Sequence, residues 1–367
     1  VDSDGDSYTD AVEVAMGTLP NDPEDIPSID LSDTIDTEIG ELSGLDHLED
    51  ELKLWLDASN IDMASNASVT DGDDVIYWSD LSGSSSTAIR KDLGYEPSFE
   101  ADVYGDNVDI IDFENAYLDI SLDSHQSQEF TMFVVYDRQN NYNGGWDSLI
   151  HNHDTTYTHS FWLMDNYSGS TTTSGYYDGD TWYEFESGNI GELNLMIVRM
   201  NSSGGSLYMN GDTFLDNNSS FTIPLDSNYY TIQPTSVTRL GRRVEDTSEH
   251  DTDVHIAEIL IFYDELSDAE LAKVSYYLSS KWEMIDYVDS DRDSYSDNSE
   301  EAAGSSPIDA TDTPGIDFSD TIDAQIGESS GLDSIESNLT LWLDATNIDM
   351  QSNTTLSDGD LINKWND

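Results

Sequence analysis

The chain has 367 residues and carries 77 acidic against 12 basic side chains, which gives a formal net charge of −65. This charge excludes nucleic acid and anionic membrane surfaces as partners, because both would repel it. Its neutralisation requires divalent cations or high salt. Hydrophobic residues make up 37% of the chain, so a packed core is expected. No apolar run is long enough for membrane insertion, and the absence of cysteine excludes disulfides.

An acidic stretch opens the sequence and occurs again 287 residues later. Residues 2–13 read DSDGDSYTDAVE, and residues 289–300 read DSDRDSYSDNSE. Carboxylates stand at positions 1, 3, 5, 9 and 12, and the tyrosine at position 7 can offer its backbone carbonyl. This spacing suits Ca²⁺, which takes six to eight oxygen ligands from a tight loop. The predicted ligands are Asp2, Asp4, Asp6, Tyr8, Asp10 and Glu13, then Asp289, Asp291, Asp293, Tyr295, Asp297 and Glu300.

The acidic stretch differs from an EF-hand, because Ser7 stands where that loop needs glycine and no helix-forming run precedes it. It resembles the bacterial thrombospondin type 3-like calcium repeat, whose pattern continues here through Gly17, Thr18 and Pro20. The resemblance implies that the cofactor is Ca²⁺. The second copy departs from this pattern at Arg292, which would be strained there if the backbone needs a positive φ.

The match between the two copies extends beyond the acidic stretch. Residues 1–80 align without a gap onto residues 288–367, and 47 of the 80 aligned positions are identical. We therefore expect a tandem array, of which the chain holds one full unit and the start of the next. The predicted division is a calcium repeat (1–27), a linker (28–50), a sandwich domain (51–286), a second calcium repeat (287–314), a second linker (315–337) and an incomplete next sandwich (338–367).

Most of the chain between the acidic stretches has β patterns. Pro23 and Pro27 are expected to break any helix in the linker, and alternating leucines at 52–56 then predict a strand. Further strands are predicted from the apolar, β-branched runs 108–113, 130–136, 193–200 and 256–263. Asn210-Gly211 predicts a hairpin with a tight primed turn.

One helix is predicted late in the unit. Ser267 can cap it and Glu270 can complete a capping box, while Leu271, Val274 and Leu278 share one face. Many short strands with turn signals and few helices favour an antiparallel sandwich.

Three motifs in the body of the unit resemble those of a bacterial laminin G-like domain. They are LWLDA with WSDLSG (54–58 and 78–83), FTMFVVY (130–136), and IAEI with LSDAE (256–259 and 266–270). The resemblance implies an all-β, antiparallel jelly-roll sandwich of the concanavalin A or laminin G type, with one short C-terminal helix. It implies no activity, because this fold serves lectins, glycosidases, adhesion modules and spacers.

The sequence offers candidate residues for a glycosidase site and for a transition-metal site. A glycosidase of this fold needs two carboxylates that face each other across a cleft, whereas Glu258 has no such partner in its strand, so an enzyme is not predicted. His151, His153 and His159 lie near Asp154 and could hold a transition metal. Clustered histidines more often lie in surface loops without binding a metal.

An aromatic-rich stretch is the best candidate for binding a ligand. Aromatic faces stack on sugar rings, while nearby aspartate and glycine can supply a polar edge. The alternative is that alternate residues form the core face of a strand. The candidate glycan-binding residues are Trp146, Tyr176, Tyr177, Trp182 and Tyr183.

The leading hypothesis is a structural or adhesive repeat unit of a long, secreted, calcium-stiffened surface protein. We expect it outside or on the surface of a prokaryotic cell, with neighbouring copies of the repeat as partners and with assembly into a filament as a further hypothesis. The alternative is a carbohydrate-binding, lectin-like module of an adhesin. A third interpretation is a halophilic surface-layer protein, whose charge is neutralised by salt rather than by calcium.

Overall fold

The computed structural model describes most of the first unit and the beginning of the second. The described residues are 1–6, 8–40, 42–84, 86–105, 108–122, 129–139, 147–153, 161–165, 173–177, 182–186, 191–201, 204–213, 237–242, 253–315, 322, 343–348, 353 and 356. Within these ranges, no helix has the length and apolarity needed to cross a membrane.

Strands dominate the described residues. They are β1 (Leu52–Asp57), β2 (Tyr77–Trp78), β3 (Ala88–Ile89), β4 (Ser98–Glu100), β5 (Ile110–Asp112), β6 (Leu118–Ile120), β7 (Phe130–Arg138), β8 (Asp147–His153), β9 (Phe161–Asp165), β10 (Thr173–Tyr177), β11 (Trp182–Glu186), β12 (Asn194–Asn201), β13 (Gly204–Met209), β14 (Asp212–Thr213), β15 (Val237–Leu240) and β16 (Val254–Phe262). The helices are α1 (Asp10–Met16), α2 (Leu31–Ile39), α3 (Asp268–Lys281) and α4 (Asp297–Ala303).

The strands form two antiparallel sheets. One has the order β14-β13-β12-β7-β16-β5-β4, with β1 also paired to β16, and the other has the order β11-β10-β9-β8-β15-β6-β3-β2. Phe133 and Val134 of the first sheet share one hydrophobic core with Ile150 and Leu163 of the second. The two sheets therefore pack face to face, and the predicted all-β antiparallel sandwich is confirmed.

Several local predictions are confirmed by backbone geometry. Asn210 and Gly211 both have positive φ, of 53° and 91°, as the primed turn between β13 and β14 requires. Ser267 caps α3, and the capping box with Glu270 is complete. Leu271, Val274 and Leu278 are buried on one face of that helix.

The segment predicted as the first linker contains a helix that sequence analysis did not predict. Helix α2 begins after Asp30, whose carboxylate accepts from the Asp33 N–H at 2.8 Å, and it buries Leu31 and Ile35. The expectation was wrong because the two prolines precede this cap and leave the helix itself uninterrupted. Residues 31–39 are therefore packed on the core.

Candidate metal centre

Residues 2–13 (loop 1) curl so that alternate carboxylates converge. One oxygen from each of Asp2, Asp4 and Asp6 lies within 4.8 Å of the other two. Short-range bonds set this curl: the Gly5 N–H donates to Asp2 Oδ1 at 2.7 Å, and the Tyr8 N–H donates to Asp6 Oδ1 at 2.8 Å. Each aspartate thus folds the backbone locally and still presents an oxygen to the centre.

Residues 289–300 (loop 2) repeat the arrangement. Oxygens of Asp289, Asp291 and Asp293 also lie within 4.8 Å of one another. The Arg292 N–H donates to Asp289 Oδ1 at 2.7 Å, and the Tyr295 N–H donates to Asp293 Oδ1 at 2.8 Å. The same residue types at the same positions therefore build the same three-carboxylate group twice.

A buried glutamate, predicted as the last ligand, lies in the helix that follows each loop. Glu13 lies in α1 and Glu300 in α4, and both are 0% exposed. Helical side chains point back towards the helix N-terminus, which here is the end of the loop. None of their four carboxylate oxygens finds a hydrogen-bond partner among the described residues. Buried carboxylates without partners are costly, so this arrangement is suited to a bound cation.

The crowding of negative charge changes the acidity of these groups. Burial, followed by repulsion from Asp291 and Asp293, raises the pKa of Glu300 to about 9. Burial and the neighbouring Asp293 raise the pKa of Asp291 to about 7. The pKa of Glu13 is also raised, by burial and by Asp4 and Asp6. A cation would reverse this effect, because it favours the charged form of each carboxyl.

The aspartates at position 9, also predicted as ligands, lie outside the two groups of three converging carboxylates and hold the loops by hydrogen bonds. Ser3 Oγ donates to Asp10 Oδ2 at 3.0 Å. In loop 2, Asp297 accepts from the Ser290 N–H and from Ser290 Oγ, each at 2.8 Å, and also from Ser279 Oγ. Both oxygens of Asp297 thus accept bonds that tie loop 2 to itself and to α3.

Tyr8 connects loop 1 to the sandwich that follows it. Its ring is 2% exposed, and its hydroxyl donates to the backbone carbonyl of Asp80 at 2.5 Å. Asp80 is itself buried, which raises its pKa, and its carboxylate accepts from the Trp55 N–H at 2.9 Å. Sequence analysis considered only the backbone of Tyr8, because nothing local in the sequence connects residues 72 positions apart.

Arg292 stands where loop 1 has Gly5, and both have positive φ, of 68° and 84°. The strain expected for a side chain at this position is therefore present. The guanidinium turns away from the carboxylates: Nη2 lies 2.8 Å from Asp268 Oδ1, and Cζ lies 4.6 Å from the ring centre of Tyr208. Arg292 thereby attaches loop 2 to the sandwich that precedes it.

A cavity of about 650 Å³ lies between loop 1 and the sandwich. Tyr8 and Val12 line one side, and Val75 and Tyr77 line the other together with Asp74. Its wall combines apolar and acidic groups that come from both loop 1 and the sandwich.

The aromatic stretch falls partly on described strands. Strands β10 and β11 pair in a register that places Tyr176 opposite Tyr183 and Tyr177 opposite Trp182. The backbone therefore brings four of the five candidate residues onto two adjacent strands. Trp146 lies outside the described residues.

The other residues that the sequence analysis considered for chemistry are the histidines near residue 151 and Glu258. His151 is buried within β8, to which His153 also belongs, whereas His159 and Asp154 lie outside the described residues. Glu258 is buried and accepts from the indole N–H of Trp55 and of Trp282, each at 2.7 Å. The ammonium of Lys281 lies 2.7 Å from the same carboxylate and 2.6 Å from Asp57, so Glu258 belongs to a buried ionic network.

Comparison with known proteins finds likeness in structure alone. No protein-family model matches the chain, and no curated protein matches it. Similar solved structures include Trypanosoma rangeli sialidase in complex with sialic acid (12% identity, TM-score 0.39, 63% of this chain and 33% of that chain) and the botulinum neurotoxin serotype D binding domain (10% identity, TM-score 0.37, 65% and 52%). The chain thus spans about a third of the sialidase and about half of the toxin domain. Likeness at this level assigns no activity, ligand or family to this chain.

Proposed function

We propose that this chain is a structural repeat unit of an extracellular protein in which Ca²⁺ stiffens the joints between successive sandwich domains. The observation that carries the proposal is the burial of Glu13 and Glu300, whose oxygens lack hydrogen-bond partners among the described residues, beside three converging aspartates. A bound cation would neutralise these buried carboxylates and replace their missing hydrogen-bond partners.

The donor set favours calcium over other metals. All the candidate side-chain ligands are carboxylates, and the loop backbone adds carbonyl oxygens. Hard cations prefer such ligands, whereas zinc and copper prefer nitrogen and sulfur. A flexible loop with many oxygens fits Ca²⁺ better than Mg²⁺, which requires a tighter octahedral shell.

Calcium bound in a loop would make the chain stiffer at that joint. Each loop lies next to a sandwich domain, and each carries five carboxylates within twelve residues. Without a cation, repulsion among those charges favours an open loop. Because oxygen ligands drawn from a loop become ordered together with the ion, calcium would convert the joint from mobile to fixed.

The test is a calcium titration of the full chain, combined with small-angle scattering in calcium and in EGTA at equal ionic strength. We expect two calcium ions per chain, and an increase in the radius of gyration after EGTA. Sodium chloride that fully substitutes for calcium would overturn the proposal in favour of a salt-neutralised surface protein. Electron microscopy of native material in both buffers would then test assembly into filaments.

Carbohydrate binding is the second candidate function. The pairing of Tyr176 with Tyr183 and of Tyr177 with Trp182 favours it, since it gathers aromatic residues on neighbouring strands. A glycan array with the intact chain and with Trp182→Ala and Trp146→Ala tests it. Specific binding that is lost in a variant with an unchanged melting temperature would support a lectin, and absence of binding to any glycan would contradict it.

A further inference from the structure

The two loops have nearly the same sequence but touch different sandwiches. Loop 1 precedes the sandwich and contacts it at Asp80, whereas loop 2 follows the sandwich and contacts it at Asp268. Residues at equivalent positions therefore differ in burial. Val1 is 91% exposed and its equivalent Val288 is 0% exposed, while Tyr8 is 2% exposed and Tyr295 is only half-buried.

Contact with the preceding sandwich is visible at loop 2. The Asp289 N–H donates to the Asn210 carbonyl at 3.1 Å, and the Asn298 N–H donates to the Ile285 carbonyl at 2.9 Å. Ser279 Oγ donates to Asp297, as described above. The turn after β13 approaches so closely that a Cβ on Gly211 would lie 1.9 Å from the Asp289 carbonyl oxygen.

Contact with the following sandwich is visible at loop 1. The Tyr8 hydroxyl bonds to the Asp80 carbonyl, and Val12 and Met16 of α1 pack against the hydrophobic core. Tyrosine occupies the same position in both copies. Of the residues that contact the preceding sandwich, Val288, Asp289 and Asp297 have identical counterparts in Val1, Asp2 and Asp10, whereas Arg292 and Asn298 correspond to Gly5 and Ala11.

The two sets of contacts use different positions of the loop. The preceding sandwich is contacted at loop positions 1, 4, 9 and 10 and by the valine before position 1. The following sandwich is contacted through positions 7 and 11 and through Met16, four residues beyond Val12. A single loop can therefore make both sets of contacts at once.

The upstream side of loop 1 is suited to such a partner. Val14 is 68% exposed, although the chain is highly charged. Val14 stands where loop 2 has Glu301, which accepts from the Tyr276 hydroxyl of α3. An exposed apolar side chain at this position indicates that another protein surface covers it, as the preceding sandwich covers loop 2.

We infer that each loop is a two-sided clamp, which binds the end of α3 and the β13–β14 turn of one copy of the unit and the Asp80 region of the next. This inference rests on the proposed function and adds to it a specific partner surface, a second copy of this unit, and a fixed orientation between consecutive sandwiches. An array would then be a rod of defined geometry when calcium is bound, rather than a flexible string of domains.

The test uses the full chain with one additional copy of residues 1–287 placed ahead of Val1, which preserves the natural Tyr-Val junction. Because the chain has no cysteine, Leu93→Cys in each complete sandwich allows spin-labelling at matched, exposed positions. Electron–electron distance measurement should give one narrow distance peak in calcium, and this peak should be lost in EGTA.

Two variants separate the sides of the clamp. Tyr8→Phe in the inner loop removes the bond to the following sandwich, and Ser279→Ala in the first copy removes a bond to the preceding one. Each should broaden the distance peak in calcium. Tyr95→Phe is the matched control, because Tyr95 is 42% exposed and does not line the cavity beside loop 1, and it should leave the peak unchanged.

The outcomes distinguish this inference from the proposed function. A broad distribution in calcium, with all three loops of the extended chain binding a calcium ion, overturns the clamp and leaves the calcium site intact. A narrow peak that persists in EGTA overturns the role of calcium in fixing the clamp. Failure to bind calcium overturns the proposed function itself.

Discussion

Loop 1 and loop 2 hold the same carboxylate group in different surroundings. In loop 1 the tyrosine at position 7 is buried on a sandwich, and the residues around Val1 face solvent. In loop 2, Val288, Asp289 and Ser290 are buried. The metal group is thus a local property of the twelve residues, whereas the surface that each loop contacts is set by its place in the chain.

Gly5 and Arg292, the residues at loop position 4, reflect the different surroundings of the two loops. Gly5 adopts a positive φ without a steric penalty, and Arg292 adopts a similar φ at the expense of strain. The arginine gains partners that only loop 2 has nearby, Asp268 and Tyr208. The backbone conformation is therefore required by the loop, while the side chain at this position is free to serve the contact with the preceding sandwich.

Loss of the buried glutamate that follows either loop should have the largest effect. Glu300→Gln removes a charged ligand and leaves a buried amide, so calcium binding at loop 2 should be abolished and the stoichiometry should fall from two ions per chain to one. Isothermal titration measures this, and Glu13→Gln should produce the same loss at loop 1. Glu114→Gln, an exposed change outside both loops, is the control, and a stoichiometry of two in Glu300→Gln would contradict the assignment.

Calcium binding should release protons, in an amount that depends on pH. The raised pKa values of Glu300 and Asp291, about 9 and about 7, mean that the calcium-free chain holds protons there at neutral pH. The raised pKa values stabilise the calcium-free fold at low pH, and this stabilisation is lost as the pH rises from 3.8 to about 7 for Asp291 and from 4.5 to about 9 for Glu300. Calcium affinity should therefore increase over that range.

An indicator dye in weakly buffered solution measures the released protons directly. More protons should appear per calcium bound at pH 7 than at pH 10, where these carboxyls are already ionised. Glu300→Gln should lower the release at pH 7. Equal proton release at both pH values would show that the carboxylates do not share an ion in this way.

The sequence allowed prediction of those features that depend on neighbours along the chain. The converging aspartates follow from their alternate spacing, and the α3 cap follows from Ser267 and Glu270. Helix α2 was missed because its cap, Asp30, carries a weaker signal than the prolines before it. The partners of Tyr8 and Arg292 could not be predicted, since Asp80, Asp268 and Tyr208 are brought near only by the packed fold.

The contact between loop 2 and the β13–β14 turn can be broken from the sandwich side. Gly211→Ala places a Cβ against the Asp289 carbonyl, so loop 2 must move away, in addition to a strain of about 1 kcal/mol from the positive φ. Hydrogen exchange should show faster exchange of the loop 2 amides, with loop 1 unchanged. Gly94→Ala has a similar φ in open space and should bring strain alone. Unaltered exchange in loop 2 would refute the close contact.

Arg292→Gly should have the smallest effect on global stability, because opposing contributions nearly cancel. Removing the side chain relieves roughly 1 kcal/mol of backbone strain. It also removes an ion pair to the exposed Asp268, worth about 0–1 kcal/mol, and a contact with Tyr208, worth about 0.5–1 kcal/mol. The melting temperature should therefore change little, while the loop 2 amides should exchange faster.

The reciprocal Gly5→Arg adds the strain to loop 1 without those partners, so it should destabilise the chain by about 1 kcal/mol. If both variants changed stability equally and in the same direction, the strain and the contacts of Arg292 would not be the deciding terms.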